Sequence, residues 1–402
     1  MPRYFLAFAA LFASFSVFAA PLPISAPSPT STLSLPMPSP PPTSAASYVL
    51  MSYQTGHIIA ERDPHAHRAP ASTTKMMTAY LVFQALAAGR IKLDTMFTVS
   101  KKAWQEPGSR MFIEPGKQIS VNDLLQGMLI PSGNDAAMAL AQGVAGTEAG
   151  FVSMMNAEAK KLGMVDTHYA DPAGLDPADH VSAHDLAILA RALIRDFPQY
   201  YHYFSQKKFT WNKITQYNWN KLLWMDPNVD GLKTGYTDKA GYCLVASAKR
   251  GDARMIAVVM GVPGLYDGDM STKENLANYR HLAKVNESLL DYGFRFFATH
   301  EVYAAGKPLA KIRVWKGGKK WVEAGLARPL YVTAARGRLN HLEVKTQAKK
   351  TAPAPVTRGQ PLGTVTVSFQ GKTLATAPLV ALAGVPEGGI WAKIRDTILG
   401  WF

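Results

Sequence analysis

The sequence predicts an α+β domain, in which helices pack on an antiparallel sheet, followed by a small all-β domain and a C-terminal amphipathic helix. Three observations carry this prediction. Apolar helical patterns stand before and after a set of strand patterns in the long middle segment, residues 48–297. Residues 298–385 alternate short β-branched runs with Gly, Lys and Pro. Residues 386–402 carry apolar side chains at helical spacing.

Composition limits the possible functions before any motif is considered. The chain has 402 residues, 48% of them hydrophobic, which excludes a wholly disordered chain. Its formal net charge of +14 suggests an anionic partner: nucleic acid, an acidic polymer or an anionic lipid surface. Cys243 is the single cysteine, so the chain has neither an intramolecular disulfide nor a Cys-rich zinc site.

Residues 1–19 have the pattern of a secretory signal peptide. Arg3 gives a positive start, an apolar run follows, and Val17-Phe18-Ala19 fits the small-x-small cleavage rule. The apolar run is short for a span of about 20 residues, which argues against an uncleaved anchor. An exported protein does not normally meet the chromosome, so nucleic acid is not expected as a partner. Residues 20–47 are rich in Pro, Ser and Thr and predict an extended, mobile linker.

The elements of the first domain follow in chain order. Tyr48–Tyr53 and His57–Ala60 predict two paired strands around a Gly-containing turn. Ser72–Leu86 is apolar on nearly every face, which is typical of a helix buried in a large domain. Residues 184–195 predict a second helix. Two later strand runs, joined by a turn at Gly251-Asp252, occupy Gly241–Ala248 and Met255–Gly261.

The first motif with catalytic chemistry is Ser72-Thr-Thr-Lys75. A serine hydroxyl is a weak nucleophile at neutral pH and needs a base beside it. Residues i and i+3 share a helical face, so Lys75 can reach Ser72. The lysine acts as a base only when neutral, and burial among apolar neighbours, together with nearby cations, lowers a lysine pKa. Ser72 stands at the helix start, where free N–H groups favour developing negative charge.

Two further motifs supply polar groups to the same chemistry. Ser132-Gly-Asn134 follows an apolar stretch and Pro131, and offers a hydroxyl and an amide that can bridge Ser72 and Lys75. The same residues also fit a simple helix N-cap. Lys233-Thr234-Gly235 precedes strand-like sequence. Its ammonium and hydroxyl suit a substrate carboxylate, and its glycine lets a substrate backbone lie along the strand.

These three motifs, in this order, resemble those of the D-alanyl-D-alanine carboxypeptidases, the low-molecular-weight penicillin-binding proteins of the serine peptidase class. The resemblance is carried by Arg68–Tyr80, Ser132–Ala137 and Val229–Tyr236, and it continues to about residue 402. It implies a penicillin-binding, β-lactamase-like fold and removal of the terminal D-Ala from peptidoglycan pentapeptides through an acyl-serine. It also implies an oxyanion hole made by the backbone N–H groups of Ser72 and Tyr236, penicillin binding and no cofactor.

Some positions depart from the pattern. Relatives often carry His where Tyr236 stands, and many carry Arg within the segment Tyr217–Asn220. An additional stretch occupies residues 263–278. These differences concern substrate specificity and leave the predicted catalytic residues unchanged: Ser72, Lys75, Ser132 and Asn134, with substrate binding by Lys233, Thr234, Gly235 and Tyr236.

Other functions remain as alternatives. A D,D-endopeptidase that cuts cross-links would share the motifs. A β-lactamase of class A would need a Glu-bearing loop of the E-x-x-L-N type, which residues 135–232 lack. A zinc peptidase would need H-E-x-x-H, whereas His180 and His184 stand in HVSAH and are expected to flank a helix start. A non-catalytic wall-binding protein would not need Ser72 and Lys75.

The C-terminal segment predicts a membrane-surface helix. Ile390, Trp391 and Ile394 share an apolar arc with Ile398, Trp401 and Phe402, while Lys393 and Asp396 lie outside it. The alternative is a helix docked on the protein's own surface. Thirteen helical residues reach about 20 Å, less than the ~30 Å hydrocarbon core. We therefore expect a periplasmic enzyme attached peripherally to the outer face of the cytoplasmic membrane through anionic lipid. The oligomeric state is not predicted.

Overall fold

The computed structural model describes residues 37–266 and 272–399. The predicted signal peptide, most of the predicted linker and residues 400–402 lie outside these ranges. The helices are α1 Lys75–Ala87, α2 Lys101–Gln105, α3 Val121–Leu129, α4 Asn134–Ala145, α5 Glu148–Leu162, α6 Ala183–Asp196, α7 Leu222–Met225, α8 Thr272–Phe296 and α9 Ile390–Leu399, with short 3-10 turns at Ala71–Thr74, Tyr201–Ser205 and Arg336–His341.

The strands divide between two regions of the chain. Those of the first region are β1 Ser47–Ser52, β2 Ile58–Arg62, β3 Met96–Thr98, β4 Gln118–Ser120, β5 Lys208–Trp211, β6 Ile214–Tyr217, β7 Val229–Thr237, β8 Gly241–Arg250 and β9 Ala253–Val262. Those of the second are β10 Phe297–Tyr303, β11 Pro308–Trp315, β12 Trp321–Leu326, β13 Leu330–Ala335, β14 Glu343–Ala348, β15 Thr351–Pro353, β16 Pro361–Phe369 and β17 Lys372–Ala381.

An antiparallel sheet of five strands, in the order β2-β1-β9-β8-β7, forms the centre of the first domain. Successive side chains of a strand point to opposite faces. Along β8, Tyr242 and Leu244 therefore pack towards α8, whereas Cys243 and Val245 pack towards α1 and its neighbouring helices. Helices cover both faces of the sheet, which confirms the predicted α+β arrangement and leaves β7 at one edge.

The second domain is built of strands around its own apolar core. β10 follows α8 directly and pairs with β13, while the other strands form a sheet in the order β14-β16-β17-β12-β11-β15. Buried side chains of both sheets form its core: Val332 of β13, with Ile312, Val314, Leu362, Val365 and Leu379 of the six-stranded sheet. The predicted small all-β domain is confirmed.

Two stretches differ from their sequence-based description. Residues 37–46 of the predicted mobile linker are attached to the first domain: the Ala46 N–H donates to Met260 O at 3.0 Å, and Tyr292 Oη donates to Pro38 O at 2.9 Å. Of the additional stretch, residues 263–266 and 272–278 are described, and the second range forms the first turns of α8. There Asn278 Nδ2 donates to Tyr242 Oη at 2.8 Å, so this stretch is tied to the central sheet.

Helix α9 contacts the second domain through a polar residue. Asp396 is buried and accepts hydrogen bonds from the Lys316 N–H at 2.7 Å and Arg313 Nη2 at 3.1 Å. Ile390 and Trp391 are 75% and 84% exposed. The helix thus packs on the second domain through Asp396, while Ile390 and Trp391 face the solvent. No helix within residues 37–266 and 272–399 is long and apolar enough to cross a membrane.

Candidate active site

Ser72 and Lys75 meet at the start of α1. Ser72 lies half-buried in the 3-10 turn Ala71–Thr74, and Lys75 is the first residue of α1. Lys75 Nζ lies 2.8 Å from Ser72 Oγ. The i, i+3 spacing of the motif therefore brings base and hydroxyl into hydrogen-bond contact before any substrate is present.

The environment of Lys75 favours the neutral amine. Its side chain is fully buried, with Met76 and Met77 beside it also at 0% exposure. Burial lowers the pKa of Lys75 to about 7, although the charges of Asp171, Asp135 and Glu106 act in the opposite direction. The burial that the apolar neighbours of Lys75 predicted thus outweighs these three carboxylates.

Asn134 and a backbone carbonyl orient the lysine. Asn134 Oδ1 lies 2.6 Å from Lys75 Nζ, and Ala173 O lies 3.1 Å from it. A neutral amine has two N–H donors and one lone pair. With its two donors used by Asn134 and Ala173, the lone pair of Nζ is directed at the Ser72 hydroxyl, which is the arrangement that a general base requires.

Ser132 and Asn134 occupy the junction of α3 and α4. Ser132 has a φ of +70°, a left-handed conformation that is strained for a residue with a side chain. Its Oγ accepts a hydrogen bond from Lys233 Nζ at 2.9 Å. Asn134 is the first residue of α4, and Gly133 is the N-cap without a side-chain hydrogen bond. The motif therefore does form the N-cap region of α4, as one interpretation of the sequence predicted, while its two side chains bind Lys233 and Lys75.

Strand β7 brings the third motif to the nucleophile. Lys233 and Thr234 are 2% and 3% exposed, and Lys233 Nζ donates to Ser132 Oγ. Burial and the charge of Lys75 hold the pKa of Lys233 well below its ordinary value. A Cβ on Gly235 would lie 3.0 Å from both Pro70 O and Ser72 N. Glycine is thus required here for β7 to approach the turn that carries Ser72.

Tyr236 continues β7 beside the nucleophile turn. Its ring stacks on Tyr242 with centroids 4.3 Å apart, and Tyr236 Oη donates to Asp238 Oδ1 at 2.9 Å. Tyr242 in turn meets Tyr279 edge-on at 5.3 Å, and Tyr279 lies 4.8 Å from Trp219. We call these four residues the aromatic ladder. It runs from β7 to the segment in which many relatives carry Arg.

Two aspartates that the sequence did not single out support the site: Asp135, which is buried, and Asp171, which is partly buried. Asp135 Oδ1 accepts the Met111 N–H at 2.8 Å and its Oδ2 accepts the Phe112 N–H at 2.9 Å, which holds the loop that faces Asn134. Asp171 accepts the N–H groups of Ala173 and Gly174 and so fixes the carbonyl that Lys75 binds. Asp-Pro-Ala-Gly at residues 171–174 is a turn signature that could have indicated this.

The histidines of the HVSAH segment surround a helix start, as expected. Ser182 is the N-cap of α6, and its side chain accepts the Asp185 N–H at 3.1 Å. No group of three or more His, Cys, Asp or Glu side chains in the described part of the chain could hold a metal ion.

The arrangement defines a serine acyl-transfer enzyme of the penicillin-binding class. A nucleophilic hydroxyl, a buried amine with a pKa near neutrality and a second Ser–Lys pair converge at the edge of an antiparallel sheet. The glycine of β7 leaves room for a substrate backbone along the strand.

Comparisons with known proteins give the family. Residues 36–264 match the sequence profile of the D-alanyl-D-alanine carboxypeptidases, and residues 297–387 match that of the penicillin-binding protein 5 C-terminal domain. The chain belongs to the D-alanyl-D-alanine carboxypeptidase family. This confirms the predicted function and supports it over the endopeptidase and β-lactamase alternatives.

Similarity extends over nearly the whole chain. It is 40% identical over 402 residues to D-alanyl-D-alanine carboxypeptidase DacC from Escherichia coli, covering 98% of this chain and 93% of that protein. The crystal structure of penicillin-binding protein 5 from Haemophilus influenzae is similar with a TM-score of 0.78 and 38% identity, covering 87% of this chain and 100% of that one. Ampicillin-bound penicillin-binding protein D2 from Listeria monocytogenes is similar with a TM-score of 0.55 and 30% identity, covering 63% and 98%.

Proposed function

We propose that the enzyme removes the terminal D-alanine from peptidoglycan pentapeptides and that Ser72 carries the acyl intermediate. The observation that carries the proposal is the 2.8 Å contact between Ser72 Oγ and the buried Nζ of Lys75, whose pKa is about 7. A lysine in this state is neutral in a large fraction of molecules at neutral pH, so it can accept the hydroxyl proton.

In the acylation step, Ser72 Oγ attacks the carbonyl carbon of the penultimate D-Ala while Lys75 Nζ takes the hydroxyl proton. The backbone N–H groups of Ser72 and Tyr236 hold the negative oxygen of the tetrahedral intermediate. The C–N bond then breaks: the Ser132 hydroxyl gives its proton to the leaving nitrogen and takes one from the Lys75 ammonium, so Lys75 is neutral again and an ester to Ser72 remains. The Lys233–Ser132 hydrogen bond of 2.9 Å supports this route, because it holds Ser132 Oγ in place.

In the deacylation step, water replaces the departed D-Ala. Lys75 takes a proton from the water as its oxygen attacks the ester, and the C–O bond to Ser72 breaks. The proton returns to Ser72 Oγ. Asn134 keeps the amine in the same place throughout, because its Oδ1 lies 2.6 Å from Nζ.

Lys233 and Thr234 recognise the terminal carboxylate of the substrate. Both are almost fully buried on β7, in the strand that passes beside Ser72. A substrate carboxylate would pair with the Lys233 ammonium and restore the charge that burial disfavours. The same contact would receive the carboxylate of a β-lactam, and the ampicillin complex of the Listeria relative supports β-lactams as ligands.

The cellular location follows from the two ends of the chain. Residues 1–19 direct export, and the enzyme acts in the periplasm. Residues 390–402 then attach it to the outer face of the cytoplasmic membrane as an interfacial helix. The outward-facing Ile390 and Trp391, with exposures of 75% and 84%, and the net charge of +14 support contact with an anionic membrane surface.

The experiment that tests the proposed reaction is release of D-alanine from a purified disaccharide pentapeptide. We expect one equivalent of D-alanine and a disaccharide tetrapeptide as products. A matched assay with a cross-linked muropeptide dimer tests the endopeptidase alternative. Faster cleavage of the dimer than of the pentapeptide would contradict the proposal.

A further inference from the structure

A cleft adjoins the active site, and the reaction steps described above make no use of it. The cleft has a volume of about 950 Å³, within the usual range of ligand sites. It begins at Pro131, directly before Ser132, and at Gly108, where a Cβ would lie 3.0 Å from Asn134 Nδ2. It extends from there between β6, α7 and the first turns of α8.

Aromatic rings line the cleft and remain exposed. Trp224, Tyr217 and Phe112 are 45%, 58% and 50% exposed. Trp219 is held in place, since its Nε1 donates to Pro131 O at 3.3 Å and its ring lies 4.8 Å from Tyr279 of the aromatic ladder. Exposed aromatic side chains gathered on one concave surface are typical of a binding site rather than of a solvated surface.

The charged side chains of the cleft are all basic. Arg110, Lys221, Arg280 and Lys284 line it, and no Asp or Glu does so among the described residues. Lys221 Nζ lies over the rings of both Trp219 and Trp224, 5.4 and 5.1 Å from their centroids. Burial and the charge of Arg280 lower the pKa of Lys221, so these two cations disfavour each other's charge. Such a surface complements an anion.

We propose that this cleft binds the part of the peptidoglycan substrate upstream of the scissile bond: an amino sugar together with the free carboxylates of the first stem residues. The inference rests on the proposed function and specifies its substrate. The apolar faces of a sugar ring can pack on Trp224 and Tyr217, while carboxylates pair with Arg280 and Lys284.

The dimensions of the substrate agree with this placement. An extended peptide spans about 3.3–3.6 Å per residue, so four stem residues cover about 14 Å from the acylated D-Ala to the sugar. A cleft that begins beside Ser132 and ends at α8 provides a continuous path of this kind. Small D-Ala-D-Ala peptides without sugar or stem carboxylates therefore use only part of the binding surface.

The test compares two substrates on the full enzyme: diacetyl-lysyl-D-Ala-D-Ala and the disaccharide pentapeptide. The variants are Trp224→Ala and the double variant Arg280→Ala/Lys284→Ala, which change exposed side chains of the cleft. We expect kcat/KM on the disaccharide pentapeptide to fall about tenfold, with less than a twofold change on the short peptide. The matched controls are Trp104→Ala and Arg295→Ala, which change exposed residues outside the cleft.

The outcomes separate this inference from the proposed function. If the wild-type enzyme releases D-alanine from both substrates and the variants leave their ratio unchanged, the cleft is not a substrate site. Equal losses on both substrates would also overturn the inference. So would variants that lose binding to anionic lipid vesicles while their kinetics on both substrates stay unchanged. If the wild-type enzyme cleaves neither substrate, the proposed function fails. The cleft is then tested by calorimetric binding of the disaccharide tetrapeptide, which the double variant should weaken about tenfold.

Discussion

At the scale of single residues, the burial of Lys75 determines the chemistry. An exposed lysine would be charged at neutral pH and could not accept a proton from Ser72. Zero exposure lowers its pKa to about 7 despite three nearby carboxylates. The S-x-x-K spacing and the apolar neighbours made this burial predictable. The role of Asp135 was not, because it acts through the N–H groups of Met111 and Phe112, which only the folded loop brings to it.

Substituting Lys75 removes the base and one of the groups that orients Ser72. We expect Lys75→Ala to lower the acylation rate by about 10²–10⁴-fold at neutral pH. Stopped-flow acylation by a chromogenic cephalosporin measures this directly. A loss of less than threefold, in protein with an unchanged melting temperature, would show that another group serves as the base.

The pH dependence of acylation reports the same pKa. The neutral amine is the active form, so the rate should rise about tenfold per pH unit below the pKa of about 7 and level off above it. Measurement between pH 5 and 9 with a substrate that carries no other group titrating in that range tests this. A rate independent of pH across this interval would contradict the assignment.

Lys233 has a different role, so its loss should depend on the substrate. Lys233→Ala removes the cation expected to meet the substrate carboxylate, and we predict a rise in KM for D-Ala-D-Ala peptides of about 10- to 100-fold. Small activated esters without a carboxylate should be affected several-fold less. Equal losses on both kinds of substrate would mean that Lys233 acts in proton transfer instead.

At the scale of elements, the site is formed where β7 passes the turn before α1. The pairing of β7 with β8 places Lys233 opposite Val245 and Gly235 opposite Cys243. This register fixes the position of the motif along the sheet edge. Sequence periodicity predicted β8 and the helix that begins near Ser72, but it placed Lys233–Gly235 before a strand, whereas these residues lie within β7. It did not predict the aromatic ladder as a whole: Tyr236 and Tyr242 are paired across β7 and β8, but Tyr279 and Trp219 join them only through packing of α8 on the sheet.

A substitution at Gly235 tests the close approach of β7 to the turn that carries Ser72. In Gly235→Ala the added Cβ would lie 3.0 Å from Pro70 O and Ser72 N, so either β7 or the nucleophile turn must shift. We expect acylation to slow at least tenfold because the backbone N–H of Ser72 is displaced. Gly337→Ala, at an exposed glycine without a positive φ and with nothing within 4 Å, is a comparison for general effects on stability. Full activity of Gly235→Ala would contradict the described approach.

At the scale of the whole molecule, the active site and the C-terminal helix belong to different domains. The active site lies at one sheet edge of the first domain, while α9 packs on the second domain through Asp396. The amphipathic pattern of residues 390–402 was readable from the sequence. The polar contact that directs Ile390 and Trp391 outwards was not, because it depends on Arg313 and Lys316 from a distant strand and turn.

Removal of residues 390–402 should separate attachment from catalysis. We predict that the truncated enzyme is released from the membrane fraction and keeps its rate on a soluble pentapeptide, because the catalytic motifs lie in another domain. Asp396→Ala is a finer comparison that loosens the helix without removing its apolar residues. Retention of the truncated protein on membranes after signal cleavage would place the anchor elsewhere.

The central claim, that Ser72 is the nucleophile of a penicillin-binding carboxypeptidase, is tested most directly by mass spectrometry of the intact protein after incubation with benzylpenicillin. We predict a mass increase equal to one penicillin, peptide mapping that places the adduct on Ser72, and no adduct on Ser72→Ala protein that retains the wild-type melting temperature. An adduct on another residue, or one that persists in Ser72→Ala, would contradict the account.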